Sequence, residues 1–208
     1  MPRNCRCNGH EPRDLTLPRS FISPEDARER ASHKQRDIHG EFEIDWWNVA
    51  VAQYKKSFPD IVYKLDATDL APNGFAGGGT GGEPRWVKLT GGFIRQLTIS
   101  YEGIVLALAH ELGHHFGGVP QSADHLACEG QADYYGVGTV MRTAWPAGAY
   151  TANATEGIRQ VAAFFGVSSK PIAAPPNEHA GCDHPTYVCR IATFQAAVAG
   201  GKKPDCAC

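Results

Sequence analysis

The chain predicts an α+β fold, mostly helical with a small β-sheet, and three observations carry that prediction. Residues 101–116 form an apolar, helix-favouring stretch that ends in the polar cluster His110-Glu111-Leu112-Gly113-His114-His115. Apolar residues at helical spacing recur over residues 41–57, from 122 or 124 to 142, over 155–165 and over 185–198. Only Ile61-Val62-Tyr63-Lys64-Leu65 and Arg85-Trp86-Val87-Lys88-Leu89 read as strands. At 208 residues, 42% apolar and 20% charged, the chain can build one adequate core. Residues 41–208 therefore read as one domain, with residues 1–40 an N-terminal arm and helix belonging to the same unit.

Residues 1–20 are polar and carry Pro2, Pro12 and Pro18, the composition of an irregular arm. Ser23-Pro24-Glu25-Asp26 supplies an N-cap, a proline at the first helical position and acids in the first turn, predicting a charged helix over 24–39. In the next helix Phe42, Trp46, Val49, Ala50 and Tyr54 share a spacing that puts them inward, and Phe58-Pro59 stops it. The glycine run between the two strands lacks the Gly-Lys-Ser/Thr ending of a phosphate loop and reads as a flexible rim. Gly117-Gly118-Val119-Pro120 ends the motif helix, and residues 167–183 read as loop.

A net charge of −2 gives no attraction for nucleic acid, and no run of apolar residues is long enough for a membrane span. Seven cysteines include Cys5-x-Cys7 and Cys206-x-Cys208 at the ends, with Cys128, Cys182 and Cys189 between, and no Cys-x-x-Cys pair. Disulfides are the expected use, in preference to a structural zinc site. Cys182 is expected to pair with Cys189, or one of these two with a terminal Cys-x-Cys, leaving Cys128 free. Such bridges imply an oxidising, extracytoplasmic location, periplasmic or secreted, although the opening residues lack the apolar core of a signal peptide.

His110 and His114 stand four apart, so one helix face presents both imidazoles to a single Zn²⁺ ion, with Glu111 beside them. Glu129 and Asp133 repeat that spacing on the next predicted helix. Glu129 is the expected third ligand, and Asp133 the acceptor that fixes a ligating imidazole. His115 points to another face and His125 is set aside. Glu111 is the expected general base for a zinc-bound water attacking a peptide carbonyl.

The two motifs resemble those of the gluzincin metallopeptidases, and the chain looks most like the branch holding HtpX-like and CaaX-prenyl-protease-type enzymes. Three further segments resemble that branch in order: Asn73-Gly74-Phe75-Ala76, with Gly74 where the branch has alanine; Val87-Lys88-Leu89-Thr90-Gly91-Gly92-Phe93; and His184-Pro185-Thr186 with Arg190-Ile191. The resemblance implies a soluble zincin-like zinc endopeptidase acting on polypeptides. It also implies that residues 85–90 form an edge strand on which a substrate could dock, and that His184 helps to stabilise the oxyanion, with Tyr187 or Tyr134 as alternatives. Arg190 is expected to hold local structure. Asp133 with Tyr135-Gly136 is faintly similar to the aspzincin pattern, in which the aspartate ligates. An inactive zinc-binding scaffold and a secreted peptidase toxin are the rival functions.

Overall fold

The fold is α+β in a computed structural model that describes residues 18–37, 41–122, 124–172 and 181–207. Cys5, Cys7 and the rest of the expected arm at 1–17, the expected helix end at His39, and Cys208 lie outside the described residues. The N-terminal half contains β1 (Arg19–Ser20), α1 (Pro24–Ala31), α2 (Glu41–Ser57), β2 (Val62–Asp66), β3 (Gly74–Gly77), β4 (Trp86–Thr90) and the short α3 (Gly91–Ile94). The rest is helical. It begins with α4 (Tyr101–Phe116), followed by α5 (Glu129–Tyr135), which runs through a π-helical turn (Gly136–Met141) into α6 (Arg142–Ala144). Then come α7 (Ala147–Phe165), α8 (Tyr187–Ala199) and a closing 3₁₀ turn (Asp205–Ala207).

Helix α4 is the hub. It is buried on every side from Gly103 to His114, which only a helix surrounded by other elements can be. The sheet lies against it, as do α2, α5, α7 and the π-helical turn. From α2, the Tyr54 hydroxyl donates to the Val105 carbonyl at 2.8 Å. Ala50 and Tyr54 are buried as their spacing predicts, whereas Val49 is 57% exposed and Trp47 fills the core instead. The Phe42 side chain lies outside the described residues.

The sheet order is β1-β3-β4-β2, with β4 antiparallel to β3 and parallel to β2, and β1 antiparallel to β3. This corrects the expected edge strand at 85–90: β4 has a neighbour on each side, so a peptide cannot add to it. The other side of β3 is also occupied, by Arg19 opposite Ala76 and Ser20 opposite Phe75. Both strands are missed by pattern reading. Gly74-Phe75-Ala76-Gly77 is poor in strand formers, and β1 is too short to show alternation. Beyond β3 the glycine run turns back, with Gly79 N donating to Glu83 O at 3.0 Å.

Three helix boundaries also differ. Helix α1 ends at Ala31 on the Ser32 cap, not at 39. Helix α5 starts at Glu129, not at 122 or 124, because Gln121 and Ala127 form a bridge and Cys128 N donates to Pro120 O at 2.9 Å. Helix α7 begins earlier than expected, directly after Pro146. Cys189 is bridged to Cys206, the terminal pairing anticipated as one alternative. Cys128 is not free: it is bridged to Cys182, 54 positions away. Among the described residues no helix is long and apolar enough to cross a membrane.

What brings α5 onto α4 is the absence of side chains at two crossing points. A Cβ on Gly113 would lie 2.4 Å from Ala132 O, and one on Gly136 would lie 2.4 Å from Ala109 O. In an exposed helix, Gly→Ala stabilises by roughly 0.5–1 kcal/mol. Gly113→Ala is expected to reverse that sign and cost about 1–3 kcal/mol through overpacking, read by urea denaturation. An alanine variant as stable as the parent contradicts this account of the crossing.

Candidate metal centre

The close crossing sets the first residues of α5 against the last turns of α4. His110, Glu111, His114, Glu129 and Asp133 are all 0% exposed. Donor atoms of His110, Glu111 and His114 lie within 4.8 Å of one another, a group that could hold a metal ion. Glu129 also faces the imidazoles. Its Oε2 is 3.3 Å from His110 Nε2 and 3.6 Å from His114 Nε2, and the two Nε2 atoms are 3.1 Å apart.

The hydrogen atoms around this triangle can be assigned from its partners. His110 Nδ1 is 2.7 Å from Asp133 Oδ1, and His114 Nδ1 is 2.7 Å from Ala127 O. A carboxylate and a carbonyl only accept, so each Nδ1 carries a proton and each Nε2 is the ring nitrogen turned inward. Three atoms able to ligate a cation therefore face one another inside the protein. Both Glu129 oxygens and both Glu111 oxygens are buried without a hydrogen-bond partner among the described residues. Buried acceptors left this way are costly unless a cation neutralises them, so the residues present fit a bound metal ion.

Asp133 is held from outside the motif helices. Arg190, on α8, donates from Nε to Asp133 Oδ2 at 2.9 Å and from Nη2 to Oδ1 at 2.8 Å. Its Nη1 donates to Phe21 O. The guanidinium lies 4.7 Å from the Phe21 ring centre and 5.2 Å from that of Phe165. Arg190, expected only to hold local structure, thus reaches the metal centre through Asp133.

The charges follow from these contacts. Burial would raise Asp133, yet Arg190 and His110 hold its carboxyl below the usual range. Burial pushes His110 down, but Asp133 and Glu129 overcome it and lift the imidazole to about 9. Burial carries His114 down to about 3. It pushes Glu111 up to about 8, and the neighbouring Glu129 acts in the same direction.

His184 reaches the edge of the centre at 18% exposure, with Nε2 2.6 Å from Ser20 O and 3.6 Å from Glu129 Oε2. Both tyrosine alternatives are hydrogen-bonded to other groups. Tyr187 donates to Asp26 Oδ2 at 2.7 Å, its hydroxyl raised to about 12 by burial and that carboxylate, and Tyr134 donates to Gly201 O at 2.6 Å. His115 lies at 3.0 Å from Trp86 O, away from the triangle, and His125 sits in a turn at φ 63. Pattern reading missed Arg19, which is 2% exposed and has Nη1 3.9 Å from Glu129 Oε1. It lies in a polar arm with no local signal. No family model, curated protein or solved structure matches the chain.

Two outcomes follow. Arg190→Met removes the arginine from the buried Asp133 and leaves its Oδ2 without that donor, and is expected to cost about 3–5 kcal/mol by chemical denaturation; a loss below about 1 kcal/mol contradicts the ion pair's role. Because His110 is protonated below about 9, an entering ion must displace that proton. Metal affinity should therefore rise with pH, about tenfold per unit for one proton. Equal dissociation constants at pH 6 and pH 8 in a non-coordinating buffer would contradict the linkage.

Proposed function

We propose that the chain is a zinc-dependent endopeptidase of zincin-like fold, close to the gluzincins, working outside the cytoplasm. The observation that carries this reading is the triangle of His110 Nε2, His114 Nε2 and Glu129 Oε2, with separations of 3.1, 3.3 and 3.6 Å. Ligand atoms about 2.0–2.1 Å from a tetrahedral zinc lie about 3.3–3.4 Å from one another. Two imidazoles and one carboxylate are also a donor set that zinc takes in hydrolytic sites. When bound, the ion would supply Lewis acidity, polarising the scissile carbonyl and acidifying a water.

Glu111 is left over from this donor set. Its buried oxygens have no hydrogen-bond partner among the described residues, and holding a cation does not require it. As general base it takes the proton of the attacking water while the carbon–oxygen bond forms. It then delivers that proton to the amine nitrogen as the carbon–nitrogen bond breaks. Its raised pKa of about 8 suits that two-way transfer near neutral pH, and a nearby cation would favour the ionised form from which it starts. His184 stands at the exposed flank, where a peptide would approach, and its Nε2–H would exchange Ser20 O for the developing oxyanion. The two disulfides support an oxidising compartment.

Complete burial of the donors favours a second reading, a closed metal site on an inactive scaffold, since structural zinc sites are closed and catalytic ones keep a position open. Glu111 separates the two. Glu111→Gln is expected to keep zinc and fold but lower peptide hydrolysis by a factor on the order of 10² to 10⁴, measured on casein with metal content checked by mass spectrometry. Turnover within threefold of the parent rejects Glu111 as the general base, and no turnover in either protein rejects the enzymatic reading.

The ligand assignment has its own test. Glu129→Ala should abolish stoichiometric zinc binding at neutral pH, while Asp133→Asn weakens it by roughly 10- to 100-fold. Zinc retained by Glu129→Ala and released by Asp133→Asn would favour the aspartate as the ligand.

A further inference from the structure

Glu129 turns Oε2 towards the two imidazoles, which leaves Oε1 facing the other way. There it meets Arg19, whose Nη1 lies at 3.9 Å. Both groups are buried, and neither Glu129 Oε1 nor Arg19 Nε has a hydrogen-bond partner among the described residues. Arg19 is also held in place. Its backbone is paired with β3, its Nη1 donates to Cys182 O at 3.2 Å, its Nη2 is 3.9 Å from Cys182 Sγ, and its Nε is 3.6 Å from Asp124 Oδ2. Cys182 is bridged to Cys128, the N-cap residue of α5 immediately before Glu129. The path from Glu129 through the disulfide to Cys182, on to Arg19 and back to Glu129 is a closed ring around the carboxylate.

We propose that Arg19 is a positioning residue for the third metal donor, Glu129, and that the Cys128–Cys182 disulfide holds Arg19 in that position. The inference rests on Glu129 being a metal ligand, as read above. A carboxylate that binds an ion through one oxygen can rotate and offer the other. A guanidinium beside Oε1 opposes that rotation, because turning would bring Oε2 to the arginine only by withdrawing it from both imidazoles. Arg19 also offsets the negative charge that Asp124 and Glu129 place beside it. The disulfide fixes the loop whose Cys182 carbonyl holds the guanidinium, so the ligand geometry becomes dependent on the redox state of a bridge that contains no ligand.

The test uses the full chain loaded with Zn²⁺ for affinity, by competition with a chromophoric chelator, and with Co²⁺ for its visible absorption spectrum. Arg19→Met is expected to lower zinc affinity about 10- to 100-fold and to shift the cobalt bands, with Arg19→Lys recovering part of both. The parent protein reduced with a phosphine, unchanged in sequence, should show the same two changes even if a substitution impairs folding. Parental affinity and an unshifted cobalt spectrum in either Arg19→Met or the reduced parent overturn the proposal. If Glu129→Ala alone loses zinc, the ligand assignment stands and the role of Arg19 falls. A parent that binds no zinc removes both.

Discussion

The Asp133 carboxylate joins the fold to the site. It accepts from His110 on α4 and from Arg190 on α8, while being carried by α5. Three helices therefore meet at one buried anion. An aspartate 0% exposed is tolerable only with its oxygens fully engaged, so the helices cannot separate without exposing an uncompensated charge. The same contact fixes the tautomer of His110 and turns its Nε2 inward. Packing and ligand geometry are thus set by one group.

Around that anion the environment separates residues of the same chemical type. His110 and His114 lie four apart on one helix, yet Asp133 lifts the first to about 9 while burial carries the second down to about 3. Glu111 and Glu129 are both buried; His184, His114 and His110 hold Glu129 well below the usual range against its burial, while Glu111 is pushed up to about 8. Burial and neighbouring charges thus keep one carboxylate ionised and bring the other into the range where it exchanges a proton near neutral pH, a separation that the proposed hydrolysis would use. The closure of the site by β1 and by the segment around His184 strengthens each of these electrostatic interactions, since water is kept out.

The segments that complete the centre come from outside its helices and are tied there. Phe21 packs edge-on to His110 at 5.1 Å and stacks on Phe165 at 5.7 Å, so β1 is anchored by core burial as well as by its pairing to β3. The 181–186 segment is anchored through Cys128–Cys182, and α8 is joined to the closing turn through Cys189–Cys206. Among the described residues, both disulfides therefore tie down segments that pack against α5, which carries Glu129 and Asp133. Ligand atoms need such support to stay within a few tenths of an ångström of their working positions.

How much could be read from the sequence follows from the range of the interaction concerned. The motif helix, the helix Glu41–Ser57 and the inward-facing pair His110 and His114 depend on residues within about four positions of one another, and the amino-acid order by itself determined them. Glu129 and Asp133 were likewise legible as a pair at helical spacing. Only the tertiary structure decided that β4 is an interior strand, that Cys128 pairs with Cys182, that Arg190 supports Asp133 and that Arg19 faces Glu129. Each of those joins residues far apart in the chain, and no local periodicity or propensity encodes which distant backbone edge, thiol or charge will be met. That choice is made by the close crossing of α4 and α5 at Gly113 and Gly136 and by the requirement that every charge buried there find a partner.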